Sequence, residues 1–174
     1  MRMDVTIVAG ESHGSLMIPI SFLFWGYVAA YVVHILEESL LGENFVEMVR
    51  KNFWPEYQWK HFFGFNTLLM SLIILSIILY EVLGGAWVII PLIFVFQMVT
   101  NGLWHVGFTL ITKKYSPGLL TSILYWMLWY FIFRYSFLPG EIVVSHFVIA
   151  AIVGTAITVL MIVSFRLFKR RFGG

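Results

Sequence analysis

Cysteine is absent, and with it every disulfide, thiolate metal ligand and cysteine nucleophile. Charge is scarce: 11% of the residues are Asp, Glu, Lys or Arg, less than half of the roughly 25% that ordinary soluble domains carry. The 11 basic and 9 acidic residues are scattered, so no stripe of cations is available to nucleic acid. Internal repeats and low-complexity segments are missing. So is the apolar–polar alternation of barrel strands. Residues 1–14 lack the basic start, apolar run and small-residue cleavage site of a removable signal.

What remains is apolar. Hydrophobic residues make up 60% of the chain and aromatics 18%, with a mean hydropathy of +0.90. Windows poor in charge mark five spans, at about residues 16–38 (charge-free as far as Leu36), 61–80, 86–112, 118–135 (charge-free as far as Phe133) and 142–165. Each approaches the ~20 apolar residues needed to cross a hydrocarbon layer about 30 Å thick. The expected fold is all-α: a single integral membrane domain, a polytopic bundle of five transmembrane helices. Between the first two spans, Phe45, Met48, Val49 and Phe53 recur at helical spacing. They predict an amphipathic helix over 44–54 lying in the headgroup region, with Trp54, Tyr57 and Trp59 as anchors. In span five, Gly154 with Ala150 or Ala151 predicts a close helix contact.

The basic residues set an orientation. Nine of the eleven (Arg50, Lys51, Lys60, Lys113, Lys114, Arg166, Lys169, Arg170 and Arg171) fall on one side of a five-span chain, and Arg2 and Arg134 on the other. The expectation is an inner-membrane protein with its N-terminus outside and its C-terminus in the cytoplasm.

The first span ends in His34-Ile35-Leu36-Glu37-Glu38. On a helix, His34, Glu37 and Glu38 share one face. Two acids at a helix C-terminus oppose the macrodipole, so something positive should offset them. A metal ion is the economical choice; Arg50, Lys51 and Lys60 are the bland alternative, with the motif as a helix end solvated by headgroups. His61 opens span two on the same side, followed by Asn66. Asn101 and His105 form an i, i+4 pair well inside span three. Tyr115-Ser116-Pro117-Gly118 makes the turn into span four, with Thr121 one turn inside. Alone, that tetrapeptide is simply a good turn, and His61 is an interfacial residue. Taken together, these groups sit at one depth, and ionisable residues in membrane spans tend to face the bundle interior and carry function. His13 lies in a polar segment, and His146 and Glu141 lie on the far side.

The expected metal ligands are therefore His34, Glu37, Glu38, His61 and His105. Glu37, Glu38 and Tyr115 are the catalytic candidates. Asn66, Asn101 and Thr121 are expected to orient ligands or bind substrate. The cofactor would be zinc or iron, as one or two ions.

Three motifs in order, His34-x-x-Glu37-Glu38, Asn101-x-x-x-His105 and Tyr115-x-Pro117-Gly118, resemble the HXXEE-domain family of bacterial integral membrane proteins. That resemblance implies that these residues act together and that the role is enzymatic, and it names no substrate. His61 is outside the motifs. A looser similarity joins the Glu-Glu pair and later His and Asn to CAAX-type intramembrane proteases. The Arg of that pattern is missing here, which leaves a chemical analogy.

The expected function is a metal-dependent membrane hydrolase acting on a lipid-like or isoprenoid substrate. A di-iron-type oxidase or desaturase at the same site is the first alternative, and a metal-free isomerase a second. A proton- or ion-coupled transporter is another, although no repeated halves or matching broken helices support it. The bilayer and a lipid-like molecule are the expected partners, with self-association left open.

Overall fold

A computed structural model describes residues 19–137 and 142–172, and these are built from helices, with no strand among them. Helix α1 (Ile20–Leu40) starts behind Pro19, whose carbonyl accepts from Phe22 N at 2.9 Å. Proline is tolerated there because the first amide of a helix has no intrahelical partner. Helix α2 (Phe45–Asn52) is capped by the Asn44 side chain, which accepts from Glu47 N at 3.0 Å. Arg50 and Lys51 occupy its last turn, where cations complement the dipole. Helix α3 (Trp59–Leu83) ends at Gly84 and Gly85, both at positive φ, and a 3-10 turn, Gly85–Val88, leads into α4 (Ile89–Thr112). Helix α5 (Leu119–Ile132) runs into a π turn, Phe133–Phe137, and α6 spans Val144–Phe172.

Among the described residues, four helical stretches are long and apolar enough to cross a membrane: Ile20–Leu40, Trp59–Leu83, Gly85–Thr112 and Val144–Ser164. The segment expected as a fourth span, 118–135, is a 14-residue α-helix extended by the five-residue π turn. At 1.5 Å per residue the α-helical part alone reaches only about 21 Å. The start of the first expected span, the N-terminal segment with His13, the loop around Pro139 and Glu141, and the side chains of the basic C-terminal tail lie outside the described residues.

Large apolar side chains such as Phe22, Leu68, Val82, Ile111 and Leu160 are exposed around the bundle. Such continuous apolar surface suits lipid and would be a liability in water. The interior sits between α4 and its neighbours α3, α5 and α6, with α1 packed on α5 and α3. The expected contact at Gly154 is present. A Cβ there would lie 2.3 Å from Ile93 O and 2.8 Å from Gln97 N, so only glycine lets α6 approach α4 so closely. Ala150 is fully buried, and Thr158 Oγ1 donates to Gln97 O at 3.0 Å.

Helix α2 differs from expectation. Val46, Met48 and Val49 are buried against Phe53, Tyr57, Phe62 and Phe108. Its apolar face therefore meets protein at the ends of α3 and α4 rather than headgroups. Trp54, expected as an interfacial anchor, stacks on His61 at 4.9 Å between ring centroids.

Candidate metal centre

The last turns of α1 and α4 meet beside the start of α5. His34, Glu38 and His105 are all buried there. His34 Nε2 stands 3.4 Å from Glu38 Oε1, and His105 Nε2 stands 3.7 Å from the same oxygen. One ligand atom from each residue lies within 4.8 Å of the others, so this group could hold a metal ion. Asn101, one turn before His105, places Nδ2 3.4 Å from His34 Nε2 and 3.2 Å from His105 Nε2.

The hydrogen bonds behind the rings fix which nitrogen faces inward. His34 Nδ1 lies 2.7 Å from Thr121 Oγ1, whose own proton goes to Gly118 O at 3.2 Å. His105 Nδ1 lies 2.9 Å from Ser116 Oγ, whose proton points to Met48 Sδ at 3.8 Å. With each hydroxyl proton so directed, the hydroxyl oxygen accepts from its imidazole. Both rings thus carry the proton on Nδ1 and turn an Nε2 lone pair toward Glu38. Two imidazole lone pairs and a carboxylate share one buried space, with the Asn101 Nδ2 donor beside both rings.

Gly118 makes the meeting of the rings sterically possible. Its φ is +100°, and a Cβ would sit 2.5 Å from His34 Cε1 and 2.7 Å from His105 Nε2. Pro117 and Gly118 therefore do more than turn the chain: they open room for the two rings under the start of α5.

Glu37 faces the other way. Its Oε1 accepts from Gly118 N at 2.9 Å, from Leu120 N at 3.0 Å and from the Tyr115 hydroxyl, while Oε2 accepts from Thr121 N at 2.7 Å. It caps the amides that open α5, which no intrahelical partner can satisfy. The positive charge expected to offset this acid is the N-terminus of α5. Tyr115 is bonded to Glu37 and is partly exposed; burial and then the Glu37 carboxylate hold its hydroxyl above the usual tyrosine pKa.

His61 is not brought to the group. It caps α3, its Nδ1 accepting from Gln58 N at 3.1 Å, and stacks on Trp54. Of the five expected ligands, the structure thus assembles His34, Glu38 and His105 and places Glu37 and His61 in other work. Thr121 backs His34, as described, and Asn101 lies between the rings. Asn66 accepts from the Tyr31 hydroxyl and donates to Phe62 O at 2.9 Å. His146 lies half-buried at the start of α6.

Sequence reasoning left out Tyr31, Tyr57, Gln97 and the hydroxyl of Ser116. Tyr31 stacks on His34, with 6.4 Å between ring centroids. Its signal was present, since residues 27, 31, 34 and 38 follow one helical face. Tyr57 comes from the segment between α2 and α3; burial and then Glu38 raise its hydroxyl above the usual tyrosine pKa. Gln97 precedes Asn101 by one turn on the same face of α4. A narrow cleft that opens outward adjoins the group and is lined by Tyr31, His34, Glu38, Asn66, Gln97 and Asn101 among others.

A family model described as a protein of unknown function with HXXEE motif matches residues 25–133. The chain belongs to the HXXEE family. The matched region runs from α1 to the π turn and contains every residue of the buried group, its backing hydroxyls and the Glu37 cap. Helix α6 lies beyond it. No curated protein and no solved structure matches the chain.

Proposed function

We propose that this HXXEE protein is an integral membrane metalloenzyme in which His34, Glu38 and His105 hold one transition-metal ion, zinc in the first instance. The supporting observation is the spacing of the acceptors. Ligands about 2.0–2.2 Å from a tetrahedral ion stand about 3.3–3.6 Å apart. Glu38 Oε1 is 3.4 Å and 3.7 Å from the two Nε2 atoms, close to that spacing, and all three ligand atoms lie within 4.8 Å of one another. With Glu37 committed to α5, the donors support one ion rather than two. A bound ion would supply a Lewis acid and an activated water, the combination that cleaves esters and amides.

The residues around it have separable tasks. Thr121 and Ser116 hold the imidazoles in the ligating tautomer. Asn101 orients whatever occupies the fourth position. The oxygen of Glu38 that does not bind the ion accepts a proton. Glu37 and Tyr115 position the start of α5 and take no part in bond making. The substrate is lipid-like, because the cleft beside the group lies within the bundle's apolar belt. A second reading, an iron-dependent oxidase, draws on the same two-His, one-carboxylate donor set, which also serves non-heme iron.

The reading carries a topology: α5 with its π turn as a fifth crossing of a bacterial inner membrane, with the N-terminus outside and the C-terminus in the cytoplasm. A C-terminal reporter active only outside the cytoplasm would contradict it.

The test of the enzyme reading is elemental analysis of detergent-purified protein. About one equivalent of zinc is expected in the wild type, and iron would redirect the reading to oxidation. Glu38→Gln and His105→Ala should each lose the ion. Full metal occupancy in both variants would remove the assignment.

A further inference from the structure

Gln97 lines the cleft beside His34, Glu38 and Asn101. Gln97 is 2% exposed, and its Oε1 has no hydrogen-bond partner. Among the described residues, four buried side-chain polar atoms lack a partner, and only Gln97 Oε1 belongs to a residue lining this cleft. The other cleft amides are met: Asn66 is bonded to Tyr31 and Phe62 O, and Asn101 to the imidazoles. An unmet acceptor in a buried site is destabilising. The backbone that carries it is fixed, because Gly154 seats α6 against Gln97 N and Thr158 bonds Gln97 O.

The cleft has a flank toward the lipid. Helix α6 packs on α4, and α3 packs on α1 and α4, whereas α3 and α6 are not closely packed on each other. Phe65 of α3, 44% exposed, and the part-buried Met161 of α6 line the cleft on this side. Leu69 and Met98 make the inner wall apolar. Gln97, Asn101 and His105 stand at successive turns of one face of α4, so Gln97 is about 6 Å from Asn101 and about 12 Å from His105 along the axis.

We propose that the cleft binds a neutral amphiphile that enters from the bilayer between α3 and α6, and that Gln97 Oε1 accepts a hydrogen bond from its hydroxyl or amide N–H. A glutamine oxygen is an uncharged acceptor, and the walls around it are apolar. A neutral donor on a hydrocarbon chain fits both. At Gln97 itself a charged headgroup would meet only an uncharged amide and apolar walls. In its last step this deepens the enzyme reading: the group to be transformed would reach the ion from a donor held about one to two helical turns away.

The experiment is photolabelling of the full chain in phospholipid nanodiscs with a diazirine-bearing dodecan-1-ol and with its methyl ether. The two probes differ only in the donor. In the wild type, the alcohol should label the α3 and α6 residues at the cleft about five- to ten-fold more than the ether, the weight of one net hydrogen bond. Gln97→Leu and Gln97→Met should bring the alcohol down to the ether level while keeping the melting temperature and metal content. In His105→Ala the alcohol preference should persist, whatever the metal content, because Gln97 reads the hydroxyl. Equal labelling by both probes in the wild type would overturn the proposal. So would an undiminished alcohol preference in the Gln97 variants, or its loss in a folded His105→Ala.

Discussion

Glu37→Gln separates the carboxylate that caps α5 from its neighbour Glu38, the proposed ligand. The side chain keeps its length but loses its charge and one acceptor. Glu37 now receives four donors: the Tyr115 hydroxyl and the amides of Gly118, Leu120 and Thr121. With the amide oxygen at Oε1, three of these survive as neutral bonds. The new NH2 faces Thr121 N, which loses its partner. Hydrogen bonds to a charged group contribute roughly 1.5–3 kcal/mol, against about 0.5–1.5 for neutral ones, and a stranded buried donor costs about 1–3 kcal/mol. Allowing for three bonds sharing one oxygen, the expected loss is about 3 kcal/mol. By the scaling of soluble domains of comparable size, that is a fall of roughly 6–12 °C in melting temperature. Thermal unfolding in detergent, followed by circular dichroism, measures it. Metal content below the transition should stay near the wild-type value. Glu38→Gln should behave oppositely, losing the ion with little change in the melting temperature of metal-free protein. A Glu37→Gln protein of unchanged stability that has lost its metal would refute this division of labour.

Gly118→Ala should be more damaging than a methyl group ordinarily is. The left-handed backbone costs about 1–2 kcal/mol, and displacing the His34 ring adds about 1–3 kcal/mol of overpacking; the measurable sign is loss of both stability and metal. His61→Ala should keep full metal content, since His61 caps α3, and an elemental assay showing a vacant centre would return it to the ligand set. Tyr115 and Tyr57 have hydroxyls raised above the usual tyrosine pKa by burial and by a neighbouring carboxylate. The folded state therefore holds their protons where the unfolded chain releases them. This contribution to stability is complete below about pH 10 and declines as pH rises beyond it. Tyr115→Phe should flatten that decline in a pH series of melting temperatures.

Much of the fold was legible because a membrane span is a length and a composition. Trp59–Leu83 and Gly85–Thr112 lie close to their charge-free windows. The fourth span was harder: an apolar run does not reveal that its helix passes into a π turn at Phe133. Helix α2 was found from its periodicity. Periodicity cannot say whether an apolar face meets lipid or protein, and here Phe62 and Phe108 cover it. At the site, the 3.6-residue period correctly placed His34 with Glu38 and Asn101 with His105. It could not separate Glu37 from Glu38, since both belong to the same broad face. The direction of Glu37 is set by the amides of α5, more than 80 residues further along the chain. Gln97 was visible as an amide in an apolar span, but only the packing of α4 shows that its oxygen is unmet.

X-ray absorption at the metal edge, on the purified wild-type protein, addresses the central claim most directly. The account predicts a single ion with two imidazoles and one carboxylate oxygen at about 2.0–2.2 Å, completed by a light oxygen or nitrogen ligand. A protein that binds no transition metal when supplied with zinc or iron would contradict it, and so would a coordination shell without imidazole scattering.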